Sequence, residues 1–384
     1  MKICYLANAK SIHIQRWLKY FADNGHEVHL ISQESFGDCN IENVKLHLLK
    51  RLRPQMRFIS FPANLFFEVI QVRRLIKKIN PDIVHAHYIA DYGFHGALSG
   101  FQPFVVSAWG SDVLRTPKGK IKSKVTRYSV TYALKKADAI TTTAEFMKEY
   151  IIKKFTMSDS NKIVRIPWGI DLKIFYRGYD DEVKIHKESL EIIAHSPILI
   201  SNRGMDPKYE IGNIIEAIPH VLESHSDAIF VFIRGYGSSK FEDKMKSKAK
   251  KLGVADNIRF ISRLLTPKEM AVYLNMADVL ISIPKTDQFG SSIMEGMACG
   301  VIPIVSNIGV YKEYLTDGDT AFFAKPDNPE EISEKIIYCI EHPELKEKFY
   351  KINRKIIEEK EDWNKKAKKM EELYENLLRG TIQK

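Results

Sequence analysis

Two carboxylates, Asp287 and Glu295, bracket Gly290, Ser291 and Ser292 in the stretch KTDQFGSSIMEGMACGVIPIVS, directly after the apolar run VLISIP. A glycine lets backbone approach a ligand closely, and the free amides of a helix beginning near Ser292 can hold phosphate oxygens. A diphosphate suits that pattern. The same residues also read as a capping box, with Ser292 as N-cap and Glu295 at the third helical position, which needs no ligand. The placement of the pair around a glycine, after a buried strand, favours the functional reading. Arg203 and Lys208, five apart in SNRGMDPK after the run ILIS, supply cations for charge developing on a departing phosphate. Taken alone, such loop cations are ordinary solvated charge.

The first half offers further candidates. Trp109 and Asp112 in SAWGSDVL follow the run PFVVSA, and His13 stands at the mouth of the first loop, so all three lie beyond strand ends, where ligands of such sheets bind. An indole can stack on a sugar face, although packing explains Trp109 equally well. His85 and His87 lie two apart in DIVHAH and so share one face of a strand, yet no third ligand accompanies them, and core packing is preferred to a metal site. The segment Asp317 to Asp319 reads as a turn.

The elements that must position these residues are legible as alternating apolar runs and amphipathic stretches. In the first half the runs are KICYLA, EVHLIS, DIVHAH, PFVVSA, AITTT and KIVRIP; Ser11 can cap a helix carrying Ile14, Trp17, Leu18 and Phe21, which Gly25 ends. Periodicity fades over 175–197, which reads as a linker. The alternation then resumes with ILIS, a helix over 211–223, AIFVFI, NIRFIS, a helix over 267–276, VLISIP, a helix from Ser292 and VIPIVS, and the chain ends in helices. The expectation is an α/β protein of two Rossmann-like doubly wound domains. Residues 1–175 form the first and 190–361 the second, with a C-terminal helix over about 362–384 packing back on the first. Two such domains facing each other make an interdomain cleft lined by the loops after the strands.

Composition bounds the function. With 384 residues, 45% hydrophobic and 28% charged, the chain can bury large cores, and no stretch reaches the roughly 18 apolar residues of a membrane span. The start shows no secretory pattern, and four scattered cysteines form no CxxC pair, so a cytoplasmic setting is expected. The net charge of +10 comes entirely from residues 1–175, which carry 27 Lys and Arg against 14 Asp and Glu. Clusters at Arg51, Arg53 and Arg57, at Arg73, Arg74, Lys77 and Lys78, and at Lys118, Lys120, Lys122 and Lys124 point to an anionic partner. No nucleic-acid module accompanies them, which leaves a membrane face or a phosphorylated substrate. The first loop, ANAKSIHIQ, lacks the glycines of a dinucleotide fingerprint, against an oxidoreductase.

These pieces, in this order, resemble the retaining glycosyltransferases of family 4, which have the GT-B arrangement. That family has a glutamate, seven residues and a second glutamate; this chain has Asp287 and Glu295 at that spacing, followed by GMACGVIPIVS. NGHEV, HAH, PWGID in place of the usual PNGVD, and the pair Gly235 and Gly237 also match in order. The resemblance implies that Arg203 and Lys208 hold the donor diphosphate together with Gly290, Ser291 and Ser292. It further implies that Glu295 binds the ribose and that Asp287 faces the donor sugar. Two departures stand out: Asp287 is one methylene shorter than the family's glutamate, and Trp109 replaces a histidine near the reacting sugar, where the resemblance makes Trp109, Asp112 and His13 candidates to touch the sugar or the acceptor. The activity implied by the resemblance is that of a metal-independent, nucleotide-sugar-dependent hexosyltransferase without cofactor, using a UDP-sugar ahead of a GDP-sugar. It would act on a glycan or lipid-linked acceptor in cell-envelope polysaccharide or glycoconjugate synthesis, peripherally at the inner membrane face and with no nucleic-acid partner. The alternatives are an inactive sugar-nucleotide-binding protein of the same fold, or an epimerase or phosphorylase.

Overall fold

The computed structural model describes residues 1–384 except 38–40, 51–59, 115–119, 194, 236, 288 and 381–384. Cys39, the basic residues Arg51, Arg53, Arg57 and Lys118, and the side chains of Lys120 and Lys122 lie outside the described residues. By compactness the chain forms two units, Met1–Trp168 with Lys366–Lys384, and Gly169–Lys365. Both are parallel α/β sandwiches of the Rossmann type. The stretch 175–197 contributes the helix Asp180–Ser189 to the second unit. None of that helix's residues is buried, which is why its sequence shows charge in place of an apolar period.

In the first unit the strands are β1 (Lys2–Leu6), β2 (Glu27–Ser32), β3 (Val44–Leu48), β4 (Ile83–His87), β5 (Phe104–Ser107), β6 (Ala139–Thr142) and β7 (Ile163–Arg165). Among the described residues they form one sheet in the order β3-β2-β1-β4-β5-β6-β7, and each pairing is parallel. Both faces of the central strands are covered, so their runs are mostly apolar, and the polar residues they carry, such as His85 and His87, are buried too. Helix Ile12–Asp23 buries Ile14, Trp17, Leu18 and Phe21, the expected stripe, and Ser11 stands at its N-cap. Strand β3 carries no clear signal because it is a half-exposed edge strand with charged and polar residues between its aliphatics. The last helix, Trp363–Leu378, places Tyr374 in the core of this unit, where its hydroxyl meets the Tyr5 hydroxyl at 3.1 Å and His85 Nδ1 at 2.5 Å. Each large side chain so buried contributes roughly 1.5–3 kcal/mol.

A charged cluster around the buried His95 and Glu68 ties helix Ser60–Ile79 to helix Phe94–Ser99. His95 Nε2 is 3.1 Å from Glu68 Oε2 and Nδ1 is 3.2 Å from Asp91 Oδ1, while Glu68 also accepts from Gln33 Nε2 at 3.1 Å. Burial disfavours the charged imidazole, but Asp91 and Glu68 outweigh it and raise its pKa from 6.5 to about 9. A raised pKa means that the stability His95 contributes is fully present below about pH 6.5 and lost as pH rises through about 9. Urea unfolding should therefore show the stability gap between the wild type and His95→Gln shrinking across that window. A gap independent of pH would mean the imidazole is uncharged in the fold.

The second unit repeats the plan with β8 (Ile198–Ser201), β9 (Ile229–Ile233), β10 (Ile258–Ile261), β11 (Val279–Ser282), β12 (Ile302–Ser306) and β13 (Phe322–Ala324). Among the described residues the order is β10-β9-β8-β11-β12-β13, again parallel throughout. Short β13 follows the Asp317 to Asp319 turn, in which Asp317 Oδ1 caps the amide of Phe323 at 2.9 Å and Asp319 pairs with Lys348 at 3.2 Å. Helix Ile211–Ser224 packs Ile211, Ile214, Ile215, Ile218 and Val221 onto the sheet, and helix Ser291–Cys299 leads into β12. The loops after β8, β9 and β11 emerge on the same sheet edge, at the carboxyl ends of adjacent strands.

Candidate active site

Arg203, two residues beyond β8, is the organising side chain of the second unit's loops. It is buried, and its guanidinium donates from Nη1 to Ser292 Oγ at 2.8 Å and from Nη2 to Asp287 at 3.1 Å. Its flat face lies over the Tyr209 ring, 4.2 Å from Cζ to the centroid. Burial works against the charge, yet Asp287, with Tyr311 and Tyr209, holds the guanidinium firmly protonated. Gly290 lies against this network: a Cβ at that position would stand 2.4 Å from Arg203 Nη1, so the guanidinium would have to shift. The sequence motifs after β8 and β11 thus meet in one network.

Lys208 is exposed, and its Nζ lies 4.5 Å from the centroid of the same Tyr209 ring. Asp206 fixes its backbone by accepting the Lys208 amide at 3.0 Å. Helix Ser291–Cys299 begins with Gly290 as N-cap, a residue with no side chain to offer the first amides. The capping-box reading of Ser292 and Glu295 is therefore replaced: both lie inside the helix, and the Ser292 hydroxyl serves Arg203 while its carbonyl accepts from Asn202 Nδ2 at 3.0 Å. A helix start with glycine at its N-cap, beside one buried and one exposed cation, can bind a phosphate group. Ser291 is the first helical residue, and Glu295 is half-buried one turn further along.

The loop after β9 holds the Arg203 loop from behind. Met205 donates its amide to Arg234 O at 3.1 Å and accepts from Ser238 N at 2.8 Å, while Gly237 N returns to Arg234 O at 2.8 Å. Asp287 is engaged on its other side as well, because Tyr311 donates its hydroxyl to Asp287 Oδ2 at 2.7 Å. No spacing in the sequence singles out Tyr209 or Tyr311. Aromatic residues in loops carry no periodic signal, and only the structure brings them to the ion pair.

In the first unit, the expected sugar contacts gather at the carboxyl end of the sheet. His13 stacks on Trp168 with centroids 4.9 Å apart and stands edge-on to Trp109 at 6.0 Å, and the two indoles meet at 4.9 Å and 74°. Trp109 Nε1 donates to His87 Nδ1 at 3.3 Å. Indole nitrogen is a donor only, so His87 is neutral with its proton on Nε2. Burial, then the neighbouring His13, lowers the His87 pKa to about 3, and burial, then Arg16, does the same for His13. Asp112, the third expected sugar contact, has both carboxylate oxygens on backbone amides. It is buried, with Oδ2 accepting Ile89 N at 2.7 Å and Oδ1 accepting Trp109 N at 2.9 Å, so it welds the loops after β4 and β5 and sets Trp109 in place. Burial raises its pKa to about 6 against the pull of those amides. His85 is a core residue bonded to Tyr374 and to Ser107 Oγ at 2.7 Å, and among the described residues no group of three or more His, Cys, Asp or Glu could hold a metal ion.

Comparison with known proteins agrees with both halves. Residues 2–144 match the model described as glycosyl transferase 4-like, and residues 182–356 match that of glycosyl transferases group 1. An uncharacterized glycosyltransferase of Methanocaldococcus jannaschii is 25% identical over 372 residues, covering 96% of this chain and 94% of its own. The alpha-monoglucosyldiacylglycerol synthase of Acholeplasma laidlawii is 23% identical, covering 84% and 82%. Among solved structures, sucrose-phosphate synthase of Thermosynechococcus elongatus superposes with a TM-score of 0.83 at 16% identity over 99% of this chain and 100% of that one. HepE of Anabaena, crystallised with UDP and glucose, gives 0.80 at 15% identity over 98% and 100%. With one matched domain in each half and this fold along its whole length, the chain belongs to the group 1 glycosyltransferases of the GT-B fold.

Proposed function

We propose that this glycosyltransferase moves a sugar from a nucleotide donor, a UDP-sugar ahead of a GDP-sugar, to a glycan or lipid-linked acceptor with retention at the anomeric carbon. The observation that carries the reading is the convergence of Arg203, Lys208, Ser292 and a helix start with glycine at its N-cap on one end of the second unit's sheet. In the proposed reaction the bond from the anomeric carbon to the diphosphate oxygen breaks, and the acceptor oxygen bonds to that carbon on the same face. The acceptor's proton passes to the departing phosphate. Arg203, Lys208 and the first amides of helix Ser291–Cys299 stabilise the charge left on that phosphate. Asp287 already holds Arg203 and receives Tyr311, which supports a positioning role for it and not nucleophilic attack. Glu295 is assigned to the ribose by family likeness. The acceptor is assigned to the first unit, where Trp109 and His13 offer aromatic faces. An acceptor of lipid or glycan type is supported by the relative that makes a glucosyl lipid and by the neighbour crystallised with UDP and glucose.

The test is nucleotide release from UDP-, GDP- and ADP-sugars, with and without candidate acceptors and with no added metal. Release from one donor, with the product's anomeric configuration retained, is the expected result. Inversion of configuration, or turnover only with a divalent cation, would sink the corresponding part of the proposal. Lys208→Ala should lower turnover by less than the roughly 10²–10³-fold of a buried donor, because water screens this exposed side chain, with no change in melting temperature. Unchanged turnover would remove Lys208 from the set.

A further inference from the structure

Tyr311 is buried, beyond the reach of any ligand, and yet its hydroxyl is spent on the carboxylate that holds the site's main cation. It lies in the short 3-10 turn Tyr311–Glu313 after β12, in a segment separate from every motif that marks the site. From there it reaches the Asp287 loop twice. The hydroxyl donates to Asp287 Oδ2, and the ring stands edge-on to Phe289 with centroids 5.9 Å apart. Phe289 has a left-handed backbone, φ 54°, which a phenylalanine adopts only when its surroundings impose it; Tyr314, stacked on it at 4.2 Å and 11°, belongs to those surroundings. The loop that carries Asp287 and leads into Gly290 is thus held from the turn after β12.

The energetic logic is that of a buried ion pair. The Arg203 and Asp287 side chains are only 6% and 14% exposed, so their attraction offsets the loss of water only if the remaining lone pairs are also satisfied. Tyr311 satisfies one on Asp287, and Ser292 takes the other arm of Arg203. An aspartate at this position has a short side chain and little freedom to seek another donor. We infer that Tyr311 is a positioning residue of the donor site, acting through Asp287 to fix the direction in which Arg203 presents its guanidinium to the donor's diphosphate. This rests on the reading of the second unit as the donor site.

The experiment compares the affinity of the full chain for UDP, GDP and ADP with its affinity for the matching nucleosides, by calorimetry and ligand-observed NMR, in the wild type and in Tyr311→Phe. The variant removes one oxygen and keeps the ring against Phe289. A loosened Arg203 affects only the diphosphate, so the expected result is about tenfold weaker binding of the nucleoside diphosphate with the nucleoside unchanged. In an Arg203→Lys background, where the forked donor is already gone, the same change should have less than about a twofold effect. Equal weakening of nucleoside and diphosphate would mark Tyr311 as mere packing and overturn the inference, as would unaltered diphosphate affinity. If the wild type bound none of the three diphosphates, the donor-site reading itself would fall, and the inference with it.

Discussion

Arg203→Ala is expected to lower donor turnover by about 10²–10³-fold, the loss seen when a preorganised donor to a developing oxyanion is removed. A second loss accompanies it. Asp287 would be left 14% exposed without its cation, and breaking a buried pair from one side costs about 3–5 kcal/mol. The lower end applies, because Tyr311 still donates to Oδ2. The two losses separate in the double variant Arg203→Ala with Asp287→Asn. Neutralising the carboxylate that has lost its cation should restore most of the stability in urea unfolding while leaving turnover low. Turnover that recovered along with stability would mean Arg203 serves the fold alone, and undiminished turnover in the single variant would exclude it from the chemistry.

Gly237→Ala should be the most disruptive single-methyl change in the second unit. A Cβ there would stand 2.2 Å from Met205 N, 2.6 Å from its Cα and 2.7 Å from its carbonyl oxygen, all backbone atoms with no rotamer to move. Overpacking of this kind costs about 1–3 kcal/mol, and a clash against backbone belongs at or above the top of that range. The clash would also push the segment between Arg203 and Lys208 away from the loop after β9, breaking the bonds from Met205 to Arg234 and Ser238. Donor affinity should fall with stability. Gly235→Ala is the control: its φ of 54° imposes strain of about 1 kcal/mol, but nothing lies within 4 Å of its Cβ, so donor affinity should survive. Equal loss of affinity in both variants would mean that strain, and not displacement of the Met205 backbone, disturbs the site.

Each central strand of both sheets is readable from the sequence, since runs such as IFVFI and VLIS are buried on both faces and hold little but apolar and small residues. The edge strand β3 and the three-residue β13 are not, because half-exposed or very short strands need no such run. Helix Asp180–Ser189 escapes notice for a related reason: a helix that buries none of its residues has no stripe to betray it. In the site, Arg203, Lys208, Asp287 and Gly290 are legible as residue types at set distances from strand ends. What each does there is less so. The Ser292 to Glu295 pair fits a capping box as a local pattern, and only the approach of Arg203 from a loop 89 residues away shows the hydroxyl employed otherwise.

By itself the sequence determined the α/β class, the doubling of the sandwich and the strand ends where chemistry gathers, because burial on both faces of a parallel sheet writes itself into consecutive residues. Tertiary structure alone decided the partners: Tyr209 under both cations, Tyr311 on Asp287, Trp168 against His13, and Asp112 turned inward onto two loop amides. The physical reason is range. Hydrogen bonds and ring contacts act over a few ångströms in space between residues far apart along the chain, and no period or spacing in the sequence records which of them will meet.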